Sequence, residues 1–138
     1  MAWSAITNEL TPIPLVLFST SIIWIIAYDS LYAMIDREDD LSIGIKSSAI
    51  LFGNKAHLII GTLMFFTVLG FCLFGSLLDL GSFYYIGVMF CFLLFIYQLK
   101  LISNKSRENY FKAFLNNNWV GLALFTGTVL ETTPWTAL

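Results

Sequence analysis

The chain has 138 residues, of which 58% are hydrophobic, 17% aromatic and 12% charged, and its mean hydropathy is +0.80. Soluble domains carry about 25% charged residues, so this composition excludes an ordinary soluble fold, and it is too hydrophobic for intrinsic disorder. The net charge of −2 argues against a nucleic-acid partner. Cys72 and Cys91 lie in apolar runs and indicate neither a disulfide framework nor a metal cluster.

Charged residues divide the chain into four long uncharged stretches, at 10–28, 56–78, 80–99 and 113–130. A bilayer core of about 30 Å requires about 20 apolar helical residues. Backbone amides in lipid must also be satisfied within the helix. The sequence therefore predicts an all-α, polytopic membrane bundle with four transmembrane helices, which forms one membrane domain over 1–138.

The basic residues predict how these helices are oriented. All seven Lys and Arg lie in the segments 33–56 and 100–112, and positive residues favour the cytoplasmic side. Both segments are therefore expected in the cytoplasm and both chain ends outside. Because residues 1–11 do not resemble a signal peptide, we expect an odd number of further spans before residue 1. The chain is then a C-terminal portion of a larger protein.

An acidic run follows the first predicted span. If the first helix continues through this run, Asp29, Asp36 and Asp40 share one face, with Tyr32 close to it. The other acids of the run are expected on different faces: Glu38 and Asp39. Carboxylates on one face repel each other, and Mg²⁺ both compensates them and binds substrate phosphates. The pattern favours a metal and phosphate site over a solvated acidic loop.

Basic and polar residues near this run leave alternatives open. Arg37 and Lys46 are either ligands of a phosphate or carboxylate group or serve only to orient the protein in the membrane. Lys55 and the basic residues of 100–112 are assigned to orientation alone. The segment 41–53 ends at a helix stop signal and is expected to form a short cytoplasmic cap helix. The asparagines at 116–118 either cap the last helix or face a cavity.

The stretch YDSLYAMIDREDDLSIGIKSSAILFG, at 28–53, resembles the second aspartate-rich motif of the UbiA superfamily of intramembrane prenyltransferases. It is most similar to the bacterial 4-hydroxybenzoate polyprenyltransferases of ubiquinone biosynthesis. The stretch YQLKLISNKSRENYFKAFLNNNWVGLALF, at 97–125, is similar to the same branch. The resemblance covers nearly the whole chain.

The resemblance implies a bundle of helices in the bacterial inner membrane, whose cytoplasmic cavity binds Mg²⁺, polyprenyl diphosphate and 4-hydroxybenzoate. It implies that Asp36 and Asp40 hold Mg²⁺ and that Asp29 acts with them in catalysis. Tyr32, Arg37 and Lys46 are then substrate-binding residues.

The first aspartate-rich motif of the family, N-D-x-x-D-R-x-x-D, does not occur in this sequence. We therefore expect the chain alone to be inactive and a separate N-terminal half to be its possible partner. Three other interpretations remain open: a related prenyltransferase with another aromatic or quinone acceptor, a small membrane cation-binding or transport subunit, and a gene remnant without function.

Overall fold

The computed structural model describes residues 6, 8 and 11–133. Between residues 11 and 133 the chain forms helices and no strand, which confirms the all-α prediction. In chain order the elements are α1 (Pro12–Ile35), α2 (Arg37–Ile43), α3 (Ser48–Phe52), a 3-10 turn (Gly53–Lys55), α4 (Ala56–Leu77), α5 (Ser82–Ile102) and α6 (Arg107–Thr132).

Within the described ranges, three segments are long and apolar enough to cross a membrane: Pro12–Ile35, Ser48–Leu77 and Ser82–Ile102. They correspond to the first three predicted spans and support a multi-pass membrane protein. The fourth prediction, 113–130, is not confirmed. These residues do lie in one long helix, α6, but this helix carries three consecutive asparagines that lower its hydropathy.

The first helix does not continue unbroken through the acidic run. Pro12 starts α1 at a position where its missing N–H costs nothing. The helix ends at Ile35, and Asp36 leaves the helical conformation with φ −96° and ψ 3° before α2 begins. The carbonyl of Asp36 accepts from the Asp40 amide at 2.8 Å, so Asp36 is joined to the first turn of α2. The expectation of one continuous acidic ridge is therefore wrong at Asp36.

The expected cap segment 41–53 contains the end of α2 and the whole of α3 instead of one helix. Gly44 ends α2 in the left-handed region, with φ 75°, where a residue without Cβ is least strained. Gly53 ends α3 with φ 50°, at the helix stop that the sequence predicts. The connection between the long helices α1 and α4 therefore consists of two short helices, each ended by a glycine.

The closest packing joins α5 to α6, and α1 packs against both α4 and α6. Gly87 and Gly127 make the α5–α6 approach possible, because a Cβ on Gly127 would lie 3.0 Å from the Cα of Gly87. Small residues allow such contacts between membrane helices. In the α4–α5 core, the hydroxyl of Tyr84 donates to the Phe71 carbonyl at 2.9 Å.

The asparagines at 116–118 do not cap a helix. The α6 helix begins at Arg107, and the side chain of Ser106 accepts from the Asn109 amide at 3.2 Å as its N-cap. The asparagines therefore lie well inside α6, where their amides face neighbouring helices and a groove.

Candidate functional site

Aromatic side chains line one face of α1, the helix that ends immediately before Asp36. Trp24, Tyr28 and Tyr32 are spaced four residues apart, so they succeed each other along one side of the helix, and Asp36 follows just beyond the end of α1. The rings of Trp24 and Tyr28 lie 6.3 Å apart between centroids. Phe114 of α6 packs against the next two rings, 6.1 Å from Tyr28 and 5.2 Å from Tyr32. We call these four rings the aromatic face.

A groove of about 430 Å³ opens beside the aromatic face, between α1 and α6. Its walls combine aromatic rings with amide side chains. The lining residues are Trp24, Tyr28, Phe114, Leu115, Asn117, Asn118 and Gly121. The groove is large enough to take part of an elongated apolar ligand, and the amides give it a polar wall.

A chain of buried amides fixes one wall of this groove. The indole Nε1 of Trp24 donates to Oδ1 of Asn117 at 3.0 Å. Asn117 Nδ2 donates to Oε1 of Gln98 at 3.4 Å, and Gln98 Nε2 donates to Oδ1 of Asn116 at 3.0 Å. Gln98 is fully buried in α5. We call these four residues the amide relay. It joins three helices, and it was not predicted because its members lie far apart in sequence.

The three predicted catalytic acids differ in their surroundings. Asp29 is exposed, and Asp36 and Asp40 are each partly exposed. No group of three His, Cys, Asp or Glu side chains within residues 11–133 comes together in a way that could hold a metal ion. Mg²⁺ often takes only one or two carboxylates and completes its shell with water and substrate phosphates. The carboxylates of Asp36 and Asp40 are therefore suitable ligands in type, although they do not form an enclosed cage.

Arg107 binds two carboxylates of the acidic run. Its Nη2 lies 3.3 Å from Oδ1 of Asp36 and 3.1 Å from Oδ2 of Asp39. Asp39 was expected on a different face from Asp36, and this is wrong, because one guanidinium contacts both carboxylates. The expectation that Arg107 orients the protein in the membrane stays a prediction, and the ion pairs add a contact that it did not include. No local pattern in the sequence signals this contact between distant residues.

The predicted substrate-binding residues separate into different environments. Tyr32 belongs to the aromatic face and is 48% exposed. Lys46 is exposed in the link between α2 and α3. Arg37 is half-buried and lines a second cavity, of about 150 Å³, together with Lys105, Arg107 and Tyr110.

Comparison with known proteins gives the same family as the aspartate-rich stretch at 28–53. The model of the UbiA prenyltransferase family matches residues 1–127. The 4-hydroxybenzoate octaprenyltransferase of Providencia stuartii is 52% identical over 131 residues, which are 95% of this chain and 46% of that protein. The proteins of the same name from Marinobacter nauticus and Aeromonas hydrophila are each 48% identical over 131 residues.

The chain spans somewhat less than half the length of these relatives, with 45% of the Marinobacter protein covered and 46% of the Aeromonas protein. No solved structure matches it significantly. The family match extends through the aspartate-rich stretch and most of α6. The chain belongs to the UbiA prenyltransferase family.

Proposed function

We propose that this chain forms the part of a 4-hydroxybenzoate polyprenyltransferase that carries the second aspartate-rich motif. The observation that carries the proposal is the aromatic face on α1, in a chain of this family whose acidic run begins directly after that helix. The names of the relatives supply the substrate class. The whole enzyme transfers a prenyl group to the ring carbon ortho to the hydroxyl of 4-hydroxybenzoate.

Asp36 and Asp40 are the proposed Mg²⁺ ligands. Their carboxylate oxygens suit this hard cation, and the Asp40-to-Asp36 backbone hydrogen bond keeps the two residues one turn apart. When bound, Mg²⁺ neutralises charge on the diphosphate leaving group. Lys46 and Arg37 are the proposed cationic partners of the diphosphate or of the acceptor carboxylate. Asp29 is proposed to orient the acceptor or take its ring proton.

The groove beside the aromatic face is the proposed path of the prenyl chain. Its apolar walls suit a hydrocarbon, and its rings offer π faces near the carbon that ionises. When the C–O bond of the prenyl diphosphate breaks, positive charge develops on the allylic group, and aromatic faces stabilise such charge. The ring carbon then attacks the cation and loses its proton. The amide relay holds Trp24 in place through Asn117.

We further propose that α6 is a fourth span and that the segment 33–56 faces the cytoplasm of a bacterial cell. The 26-residue length of α6 is sufficient to cross the membrane, and its polar asparagine side is partly covered by α1 and α5 through the amide relay. The distribution of Lys and Arg supports the orientation.

The test is a chimaera with the Providencia stuartii relative. The 131 residues that match are replaced by those of this chain, and the product is assayed in vesicles with Mg²⁺, polyprenyl diphosphate and 4-hydroxybenzoate. We expect prenylated 4-hydroxybenzoate from the chimaera. The 138-residue chain alone is expected to give no turnover, because one carboxylate cluster lacks its opposing ligands.

Two results would contradict the proposal. A chimaera that is correctly inserted and monodisperse but inactive on every acceptor would show that the chain does not support prenyl transfer. If the chimaera prenylates a quinone or another aromatic acceptor but not 4-hydroxybenzoate, the proposed prenyl transfer is supported and the proposed acceptor is wrong. Turnover by the 138-residue chain alone would refute the expected need for a second carboxylate cluster.

A further inference from the structure

A second cavity, of about 150 Å³, lies where the α1–α2 break, the start of α4 and the α5–α6 link meet. It shares no lining residue with the groove beside the aromatic face, so it is a separate space. One part of its wall is apolar and is formed by Met34, Ile35 and Ala56. The polar part includes Arg37, Glu38, Asn54, His57, Lys105 and Arg107. We call it the basic pocket.

Positive charge dominates the basic pocket. Three permanent cations line it, Arg37, Lys105 and Arg107, against one carboxylate, Glu38. Arg107 is already bound by carboxylates outside the lining. Across residues 11–133, neither Arg37 nor Lys105 forms a salt bridge. With Arg107 paired in this way, the pocket still holds two cations, Arg37 and Lys105, against the single carboxylate of Glu38.

Arg37 also has an unsatisfied donor. Its Nε is buried and has no hydrogen-bond acceptor, although Arg37 and Glu38 are adjacent and both line the cavity. A buried donor without a partner is costly, and a charged one more so. The planar guanidinium matches the oxygens of an oxyanion. A bound anion would supply the missing acceptor and balance the charge of Lys105.

We propose that the basic pocket binds a phosphate group. The volume of the cavity suits a group of this size, and its mixture of Arg, Lys and His side chains suits a tetrahedral oxyanion. Basic pockets between the ends of membrane helices take anionic lipid headgroups, and the apolar wall would adjoin the glycerol part of a lipid. The two sources of this chemistry are an anionic phospholipid and free pyrophosphate. The pocket shares Arg37 with the proposed function, whereas Lys105 and Glu38 belong to the pocket alone, so variants of these two residues test the inference separately from prenyl transfer.

The experiment measures binding by the 138-residue chain in detergent micelles, without any turnover. Dioleoyl phosphatidylglycerol is titrated and the bound lipid is counted by native mass spectrometry. We expect Lys105→Gln and Arg37→Gln each to weaken binding about fivefold. Glu38→Gln is expected to strengthen it about threefold, because it removes the opposing carboxylate. Lys100→Gln, which removes an exposed charge outside the pocket, is the matched control and is expected to change nothing.

Competition with pyrophosphate distinguishes the sources. If pyrophosphate leaves the bound lipid in place, the ligand is a lipid headgroup. If pyrophosphate displaces the lipid, the ligand is a free anion. The same conclusion follows if pyrophosphate binding changes in the Lys105 and Glu38 variants while lipid binding does not. The proposal fails if Lys100→Gln weakens binding as much as Lys105→Gln, since charge alone would then explain it. It also fails if Lys105→Gln and Glu38→Gln both leave binding unchanged. Lys105 is exposed, so its variant tests the pocket even if Arg37→Gln misfolds.

Discussion

The guanidinium of Arg107 lies 3.3 Å from the carboxylate of Asp36, a residue 71 positions earlier in the chain. Asp36 is a proposed metal ligand, so the arginine and a cation would compete for the same oxygen. Side-chain exposure is 62% for Arg107 and 39% for Asp36, and ion pairs this exposed are weak. The contact is therefore easily exchanged when a stronger ligand arrives at the acidic run.

We predict that Arg107→Gln increases the affinity of the chain for Mg²⁺ about two- to fivefold, because each exposed ion pair contributes about 0.2–1 kcal/mol and its loss frees a carboxylate. Isothermal titration with MgCl₂ measures this change. Lys100→Gln removes the same charge at a site away from the acidic run and is expected to have no effect. Unchanged or weaker Mg²⁺ binding by Arg107→Gln would contradict the competition.

The two carboxylates that share Arg107 are expected to differ in function. In the chimaera described above, Asp36→Asn should lower kcat about 10²–10³-fold, the usual effect of removing one preorganised electrostatic group. Asp39→Asn should stay within about threefold of the parent, because Asp39 contributes only an exposed ion pair. Rates of prenyl transfer measure both. Equal losses in the two variants would show that the ion pair, and not the metal ligand, matters.

The amide relay is expected to contribute to stability. Asn117→Leu leaves the Trp24 indole without its acceptor and Oε1 of Gln98 without the Asn117 donor, at a cost of about 0.5–2 kcal/mol. The free energy of unfolding in mixed micelles measures the loss. Asn118→Leu is the control, because Asn118 is exposed at the groove. A double-mutant cycle with Trp24→Phe should give a positive coupling for Asn117, and zero coupling would contradict the hydrogen bond.

Two glycines at different helix contacts should respond differently to substitution by alanine, Gly87 between α5 and α6 and Gly121 between α6 and α1. A Cβ on Gly87 would lie 2.8 Å from the carbonyl oxygen of Ala123, so Gly87→Ala should destabilise the fold by about 1–3 kcal/mol. A Cβ on Gly121 would lie 3.6 Å from the Trp24 ring, an ordinary contact. Gly121→Ala should therefore be neutral or stabilise α6 by up to about 1 kcal/mol. Thermal unfolding in detergent compares them, and the reverse order would show that the helices are not packed at Gly87.

Much of the fold could be predicted from the sequence, because long uncharged stretches almost have to be helices in lipid. Three of the four stretches coincide with apolar helices of sufficient length. The directions of the acidic side chains could not be predicted in the same way. Helical periodicity assumes an unbroken helix, and the helix is interrupted at Asp36. The position of Asp39 beside Arg107 depends on how α6 packs against α1, which no local pattern records.

The roles proposed for Asp29, Asp36 and Asp40 stay predictions. They depend on a motif and on the type of donor, since within residues 11–133 no third His, Cys, Asp or Glu side chain joins a pair of them in a metal-binding group. The aromatic face was partly visible in the four-residue spacing of Trp24, Tyr28 and Tyr32, although its partner Phe114 was not. Ring contacts between helices require the tertiary structure.

The buried Gln98 also bears on how the protein is made. The asparagines of α6 disfavour its entry into a bilayer on its own, since polar side chains in hydrocarbon are costly. Gln98 on the preceding helix offers a partner for two of them, and only a short link separates the two helices. During synthesis at the membrane, α5 and α6 should therefore leave the insertion machinery together as a hairpin, with their amides already paired.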